Sequence, residues 1–195
     1  MSHARTSPAF AAVAVVALGV VGCTQQTDGT PIETTAPISQ AASNDPGMPQ
    51  VANPKNLEAV SDPCQLLTAD QLAQLGTGGK PTHRPSAWGE DTCTWGAKTD
   101  GLRVNLAPST TLNRGLTSVL RTVHKTAPDE VIDGYPMVTS QPLTYSCGIY
   151  VSTTSEDVFS LNVDRGDSDR PEHQDTCAVA KQVASMVLSN LPAKN

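Results

Sequence analysis

Three stretches hold residue types that could do chemistry at close spacing. Gly76-Thr77-Gly78-Gly79-Lys80 has the glycines and the lysine of a phosphate-cradling loop. That loop also needs a glycine where Gln74 stands and a hydroxyl where Pro81 stands, and it follows a strand. The residues before Gly76 read as a helix, so the phosphate reading fails. Asp164, Asp167, Asp169, Glu172, His173 and Asp175 form an acidic run. Oxygen ligands suit Ca²⁺, but the spacing is not that of a calcium loop and no bidentate Glu closes it. Acids ahead of a helix already serve as caps and complement its dipole. His83, His124 and His173 are scattered, with neither a Gly-x-Ser-x-Gly elbow nor a His-Glu-x-x-His pair. Arg165-Gly166-Asp167 is a chance tripeptide on this reading. An active site assembled from distant residues stays open, because triads are recognised by geometry. The expectation is a protein without catalytic residues, metal or cofactor, and so not an enzyme.

Cys23 carries a different chemistry. Arg5 lies in a short start without acids, and Ala9 to Val21 is apolar or Gly throughout. A membrane-spanning helix needs about 20 such residues, so this shorter run reads as an export signal over residues 1–22. It ends in Val20-Val21-Gly22-Cys23, which resembles a bacterial lipobox. The resemblance implies acylation of the Cys23 thiol and cleavage between Gly22 and Cys23. A thiolate is a far better nucleophile than a hydroxyl, and a small residue before it leaves the bond open to a protease. Two or three acyl chains then hold a protein stably on a membrane, at about 0.8 kcal/mol per buried CH₂.

Setting Cys23 aside leaves Cys64, Cys93, Cys147 and Cys177. An even count in an exported domain reads as two disulfides with three possible connectivities. Zinc would want close pairs, which are absent. Cys147–Cys177 is favoured, because both lie on the predicted core faces of a strand and of the helix that should cover it. Cys64–Cys93 then joins the first helical turn to the first strand.

Residues 23–56 hold Pro31, Pro37, Pro46, Pro49 and Pro54 among Thr, Ser, Gln and Ala. Such a stretch buries too little surface to offset its ordering entropy, so a disordered tether with a reach of about 30 Å is expected. Its threonines are also candidates for O-linked sugar. A domain over 57–195 should follow. The formal net charge of −6 speaks against nucleic acid as a partner, since that affinity rests on Lys and Arg neutralising phosphates.

Within the domain, Asp62-Pro63 can start a helical turn, and Thr68 to Gln71 fits a capping box for a short helix ending at Gly76. Gly76 to Glu90 reads as a loop. Thr92 to Trp95 and Leu102 to Leu106 read as strands. A helix opening at Thr110 or Thr111 would align Leu112, Leu116, Val119, Leu120 and Val123 on one face. Its other face would align Arg114, Arg121 and Lys125, a basic stripe able to meet anionic headgroups. Glu130 to Thr139 reads as one edge strand, limited by Gly134 and Pro136. Tyr145 to Val151 and Phe159 to Val163 read as an antiparallel hairpin. Pro171 to Leu191 reads as a final helix with a stripe of Cys177, Ala180, Ala184, Val187, Leu188 and Leu191. Trp95 is expected in the core and Trp88 in an exposed loop. The class that follows is α+β: an antiparallel sheet with helices packed on one face and two disulfides.

The export signal, Ser61-Asp62-Pro63-Cys64-Gln65-Leu66-Leu67-Thr68, Cys93-Thr94-Trp95, the strand bearing Cys147 and Asp175-Thr176-Cys177-Ala178-Val179-Ala180 occur in one order. Together they resemble actinobacterial envelope lipoproteins of the Lpr/Lpq type with an uncharacterised extracytoplasmic domain. The resemblance spans the signal and about residues 57–192. It implies an outer-face, lipid-anchored location and brings no catalytic residues. The function expected is binding of an envelope lipid, glycolipid or protein, with the membrane itself met through Cys23. The alternatives are an accessory subunit without a small ligand, and a hydrolase.

Overall fold

The strands alternate apolar and polar side chains, and one face of a sheet must therefore be buried. A computed structural model describes residues 48–85, 89–96, 101–109 and 115–195. Its seven strands are β1 (Thr82–Pro85), β2 (Asp91–Trp95), β3 (Arg103–Ser109), β4 (Glu130–Ile132), β5 (Tyr135–Leu143), β6 (Ser146–Ser152) and β7 (Val158–Asp164). All pairs are antiparallel, in the order β1-β2-β3-β7-β6-β5-β4. The helices are α1 (Ala69–Gln74), α2 (Leu116–Thr122) and α3 (Thr176–Asn190), with 3₁₀ turns at Pro63–Gln65 and Pro171–His173. The class is α+β with an antiparallel sheet and two disulfides.

One face of the sheet carries Cys93, Trp95, Val104, Leu106, Val163, Leu161, Phe159, Cys147, Ile149, Val151 and Met137, all buried. Helix α3 lies on this face with Val179, Ala180, Val183, Ala184, Val187 and Leu188 inward. Leu66, Leu67, Leu72 and Leu75, from the first 3₁₀ turn and α1, complete the layer. Cys147–Cys177 and Cys64–Cys93 are the bridges, with Cα atoms 5.1 and 5.0 Å apart. Each ties the covering layer to a strand. Helix α2 sits on the opposite face, packing Leu116, Val119 and Leu120 on Val138 and Val158.

The capping signals act as read. Asp62 accepts from the Cys64 N–H, and Thr68 and Gln71 form a reciprocal capping box. Gly76 (φ 61°) follows α1 in the left-handed region, and the Gly76 and Thr77 N–H groups reach the Ala73 and Leu72 carbonyls. This is a Schellman end.

Several boundaries differ from expectation. Glu130 to Thr139 is not one strand. Asp133 (φ 51°) and Gly134 (φ 90°) make a two-residue turn between β4 and β5, the positive-φ geometry that Asp-Gly favours. The expected loop 76–90 contains β1, whose four exposed residues give no alternation to read. The last helix is broken: Pro171–His173 is a separate turn, and Asp175 caps α3 by accepting from the Ala178 N–H. Domain packing starts before residue 57. Met48 and Val51 are half-buried against the core, and the Tyr135 hydroxyl donates to the Asn53 carbonyl at 2.6 Å. The rest of the expected tether, the signal and Cys23 lie outside the described residues, as does Trp88.

The bridge on α3 closes a separation of 30 residues. Replacing Cys147 and Cys177 together by Ala should lower the unfolding free energy by about 3 kcal/mol, measured by denaturant titration. An unchanged midpoint and slope would remove the bridge from the account of stability.

Candidate functional site

Among the described residues, α2 packs on the sheet face opposite α3 at Val138 and Val158. Beyond α2 the strand register sets polar side chains side by side. Thr94, Asn105, Asn162 and Gly148 are consecutive partners across β2, β3, β7 and β6, with Gln141 of β5 opposite Gly148. The next row toward the end of the sheet is Arg103, Asp164, Ser146 and Leu143. On the α2 side the row is Ala107, Ser160, Tyr150 and Val138.

Hydrogen bonds hold this face in place. Asn105 Nδ2 donates to Thr94 Oγ1 at 2.7 Å, and Asn162 Nδ2 donates to Ser146 Oγ at 3.3 Å. Arg103 and Asp164 form an ion pair at 3.5 Å, and Arg84 of β1, opposite Thr92, is a further exposed charge on the same face. A Cβ on Gly148 would meet Ser140 Oγ at 2.7 Å, so this strand position accepts only Gly without a shift. Ser140 reaches over it because β5 is irregular between Thr139 and Gln141. The tip of the β5–β6 hairpin borders the face, with Leu143 and Tyr145 53% and 58% exposed.

Residues singled out from the sequence are mostly elsewhere. Arg114 lies outside the described residues. Arg121 is exposed on α2, but the helix ends at Thr122, so Arg121 and Lys125 share no helical face. The cause is His124, which turns left-handed (φ 56°) in a second Schellman end: its N–H reaches the Arg121 carbonyl, and the Lys125 N–H that of Leu120. The Lys125 ammonium turns away to Asp129 Oδ2 at 2.6 Å and to the Thr139 carbonyl at 2.9 Å. Burial pushes the Asp129 carboxyl up. The Lys125 ammonium and the Thr139 N–H outweigh that and hold it below the usual carboxylate range.

The loop after Gly76 holds structure together: Thr77 Oγ1 donates to the Leu102 carbonyl at 3.0 Å. The acidic run is divided among local tasks. Asp164 pairs with Arg103 and accepts from the Gly166 N–H, Glu172 pairs with Arg170, and Asp175 caps α3. Among the described residues no group of three or more His, Cys, Asp or Glu is set to hold a metal. His83 pairs with Asp91 at 3.3 Å between two exposed side chains.

His173 makes the one serine–imidazole contact in this set. It is 2% exposed, with Nε2 2.9 Å from the Leu75 carbonyl and Nδ1 2.6 Å from Ser168 Oγ. A carbonyl only accepts, so Nε2 carries the proton, and in that tautomer Nδ1 accepts from the Ser168 hydroxyl. No carboxylate orients the ring. The pair ties the turn before α3 to the end of α1 and satisfies a helix-end carbonyl.

The polar rows were not found from the sequence. Asn105, Asn162 and Asp164 read there as outward positions of separate strands. Nothing in one strand says that two Asn face each other across β3 and β7.

A family model described as a protein of unknown function (DUF3558) matches residues 18–190. No match to the chain occurs among curated proteins or among solved structures.

Two outcomes test this geometry. His173→Ala leaves the buried Leu75 carbonyl without its donor and the Ser168 hydroxyl without its acceptor, at about 1–3 kcal/mol each, so thermal and denaturant unfolding should show a loss of about 2–4 kcal/mol. Asp129→Asn should cost about 0.5–1 kcal/mol at neutral pH, given the partial exposure of the pair. A depressed carboxyl contributes stability above its unfolded value of about 3.9, and that contribution is lost as pH falls through the lower folded value. The gap between Asp129→Asn and the parent should therefore shrink as pH falls through and below the ordinary carboxylate range, and a gap independent of pH would refute the assignment.

Proposed function

This chain belongs to the DUF3558 family, and we propose that it is a lipid-anchored protein of the cell envelope that binds an envelope component without catalysing a reaction. The observation that carries the binding reading is the polar face of the sheet around half-buried Thr94, Asn105 and Asn162 and exposed Gln141. An antiparallel sheet can leave one face to solvent. Here that face holds amides and hydroxyls next to an exposed hairpin tip, on a frame braced by two disulfides.

The anchor reading rests on the Val20-Val21-Gly22-Cys23 pattern. The matched family stretch takes in Cys23. Among the described residues no helix is long and apolar enough to cross a membrane. Location on the outer face of the cytoplasmic membrane and an Lpr/Lpq-type kinship belong to the same proposal.

Lys55 and Asn56 donate to the Thr153 and Pro192 carbonyls, and the chain is already packed at Met48, against the cluster of α2, Val138 and Val158. Thr153 starts the turn between β6 and β7. The hairpin tip at Tyr145 is at the other end of β6, about 20 Å along the strand at roughly 3.4 Å per residue.

Cys23→Ser should keep its signal segment and lack acyl mass by intact-mass spectrometry, and it should leave the membrane fraction more readily. Cleavage after Gly22 with normal acylation would sink the anchor. A photo-crosslinking residue at exposed Gln141 should capture an envelope component in cells, whereas one at exposed Ser189 on α3 should not. Equal capture, or none, would sink the binding face.

A further inference from the structure

We propose that residues 48–56 and the segment after α3 form one latch, which opens as a unit with the sheet intact and so sets the length of free chain ahead of Leu57. The latch goes beyond the binding reading and does not rest on it.

The first half is a strap. Met48 packs into the cluster of Leu116, Val119, Leu120, Val138 and Val158 on the α2 side of the sheet. Val51 packs against the core on the α3 side. Between them the chain passes from one layer to the other. Its bonds place the crossing at the end of the sheet where β6 finishes and β5 and β7 begin. There the Tyr135 hydroxyl donates to the Asn53 carbonyl at 2.6 Å, and the Lys55 N–H donates to the Thr153 carbonyl at 3.1 Å. Apart from a single bridge at Lys55, residues 48–56 lie in no helix or strand. Their order is borrowed from what they touch.

The second half is the chain after α3. A residue before Pro is driven out of the helical region, and Leu191, before Pro192, is extended (ψ 134°). The chain then runs antiparallel to the strap around the Lys55–Ala193 bridge. The Asn56 N–H donates to the Pro192 carbonyl at 2.8 Å, and the Lys194 N–H donates to the Pro54 carbonyl at 2.9 Å. Lys55 Nζ donates to the Leu191 carbonyl at 3.1 Å. The Lys194 ammonium closes the latch at 2.7 Å from Asp157 Oδ2, a carboxylate only 4% exposed. One turn, between β6 and β7, therefore receives both halves: Thr153 takes the strap and Asp157 takes Lys194.

Neither half makes enough bonds to offset its own ordering entropy, so each depends on the other. Segments of this kind open at a fraction of the global unfolding free energy. The sheet does not need them, because Cys147–Cys177 ties β6 to α3 with the latch open or closed. Opening frees nine residues ahead of Leu57, up to about 30 Å of chain at 3.3–3.6 Å each. It also hydrates Asp157 and withdraws Met48 from its place beside α2.

The test reads backbone amide exchange on the full-length protein under native conditions. Lys194→Met keeps the stem and removes the ammonium. The Lys55 and Asn56 amides should then exchange at least fivefold faster, while those of α1 and β3 keep the parent's rates. Coupling is reciprocal. Tyr135→Phe, which removes only the bond to Asn53, should speed exchange at the Lys194 amide at least threefold. Spin labels at exposed Ala52 and Ser189 read the length. The parent should give one narrow distance, and a chain ending at Leu191 a broad, longer distribution. Parent rates at Lys55 and Asn56 in Lys194→Met, or at Lys194 in Tyr135→Phe, would mean two independent ends and overturn the latch. Equal acceleration in α1 and β3 would mean global unfolding, and an unchanged distance in the shortened chain would mean no release; either also overturns it.

Discussion

The one-sided burial of the sheet is the constraint on which the other features depend. Side chains alternate with a period of two, so a slip of one residue would turn a strand's whole apolar set outward. The disulfides enforce the same register covalently. Cys93 on β2 and Cys147 on β6 point to the covered face, where Cys64 and Cys177 wait in the covering layer. A slipped β2 or β6 would carry its thiol to the opposite face, out of reach of its partner. Register, helix docking and crosslinking therefore specify one arrangement.

That arrangement leaves the second face free to be specialised. Helix α2 uses one corner of it, around Val138 and Val158, and is held short by the left-handed His124. A non-glycine residue there costs about 1–2 kcal/mol. The turn is nonetheless fixed, because Lys125 beyond it is bound to Asp129 and the Thr139 carbonyl.

Much of the frame was legible because it is written in local chemistry. The Thr68 capping box, the alternation in β3 and β7, the α3 stripe and the even cysteine count each report on neighbours in sequence. Other features were not legible, for identifiable reasons. Strand β1 is exposed at all four positions and ends in Pro85, so it lacks any periodic signal. The β4–β5 turn was visible as Asp133-Gly134, but Pro136 masked it by suggesting a lone edge strand. Pro136 is tolerated because it stands next to the turn, opposite Val131 on the short edge strand. The basic stripe failed at a single residue, since no helix propensity separates His124 from its neighbours strongly enough to announce a left-handed turn. The polar rows were illegible in principle: they exist only once β7 is inserted between β3 and β6.

The insertion also explains how the domain can carry poor strand formers in its middle. Each of β3, β7 and β6 has hydrogen-bonded neighbours on both sides, and each buries three or more apolar side chains on the covered face. A fully buried Val, Leu, Ile or Phe contributes about 1.5–3 kcal/mol. Losses of at most about 1 kcal/mol at Asn105, Asn162 or Gly148 are small beside that. On an edge strand such as β1 or β4 the same residues would have nothing to offset them. A row of amides and a bare backbone position can therefore stand in this sheet only at its centre. A surface of hydrogen-bonding groups selects a ligand only if its spacing is fixed in advance, and the Cys147–Cys177 bridge ties β6 to α3 beneath this row.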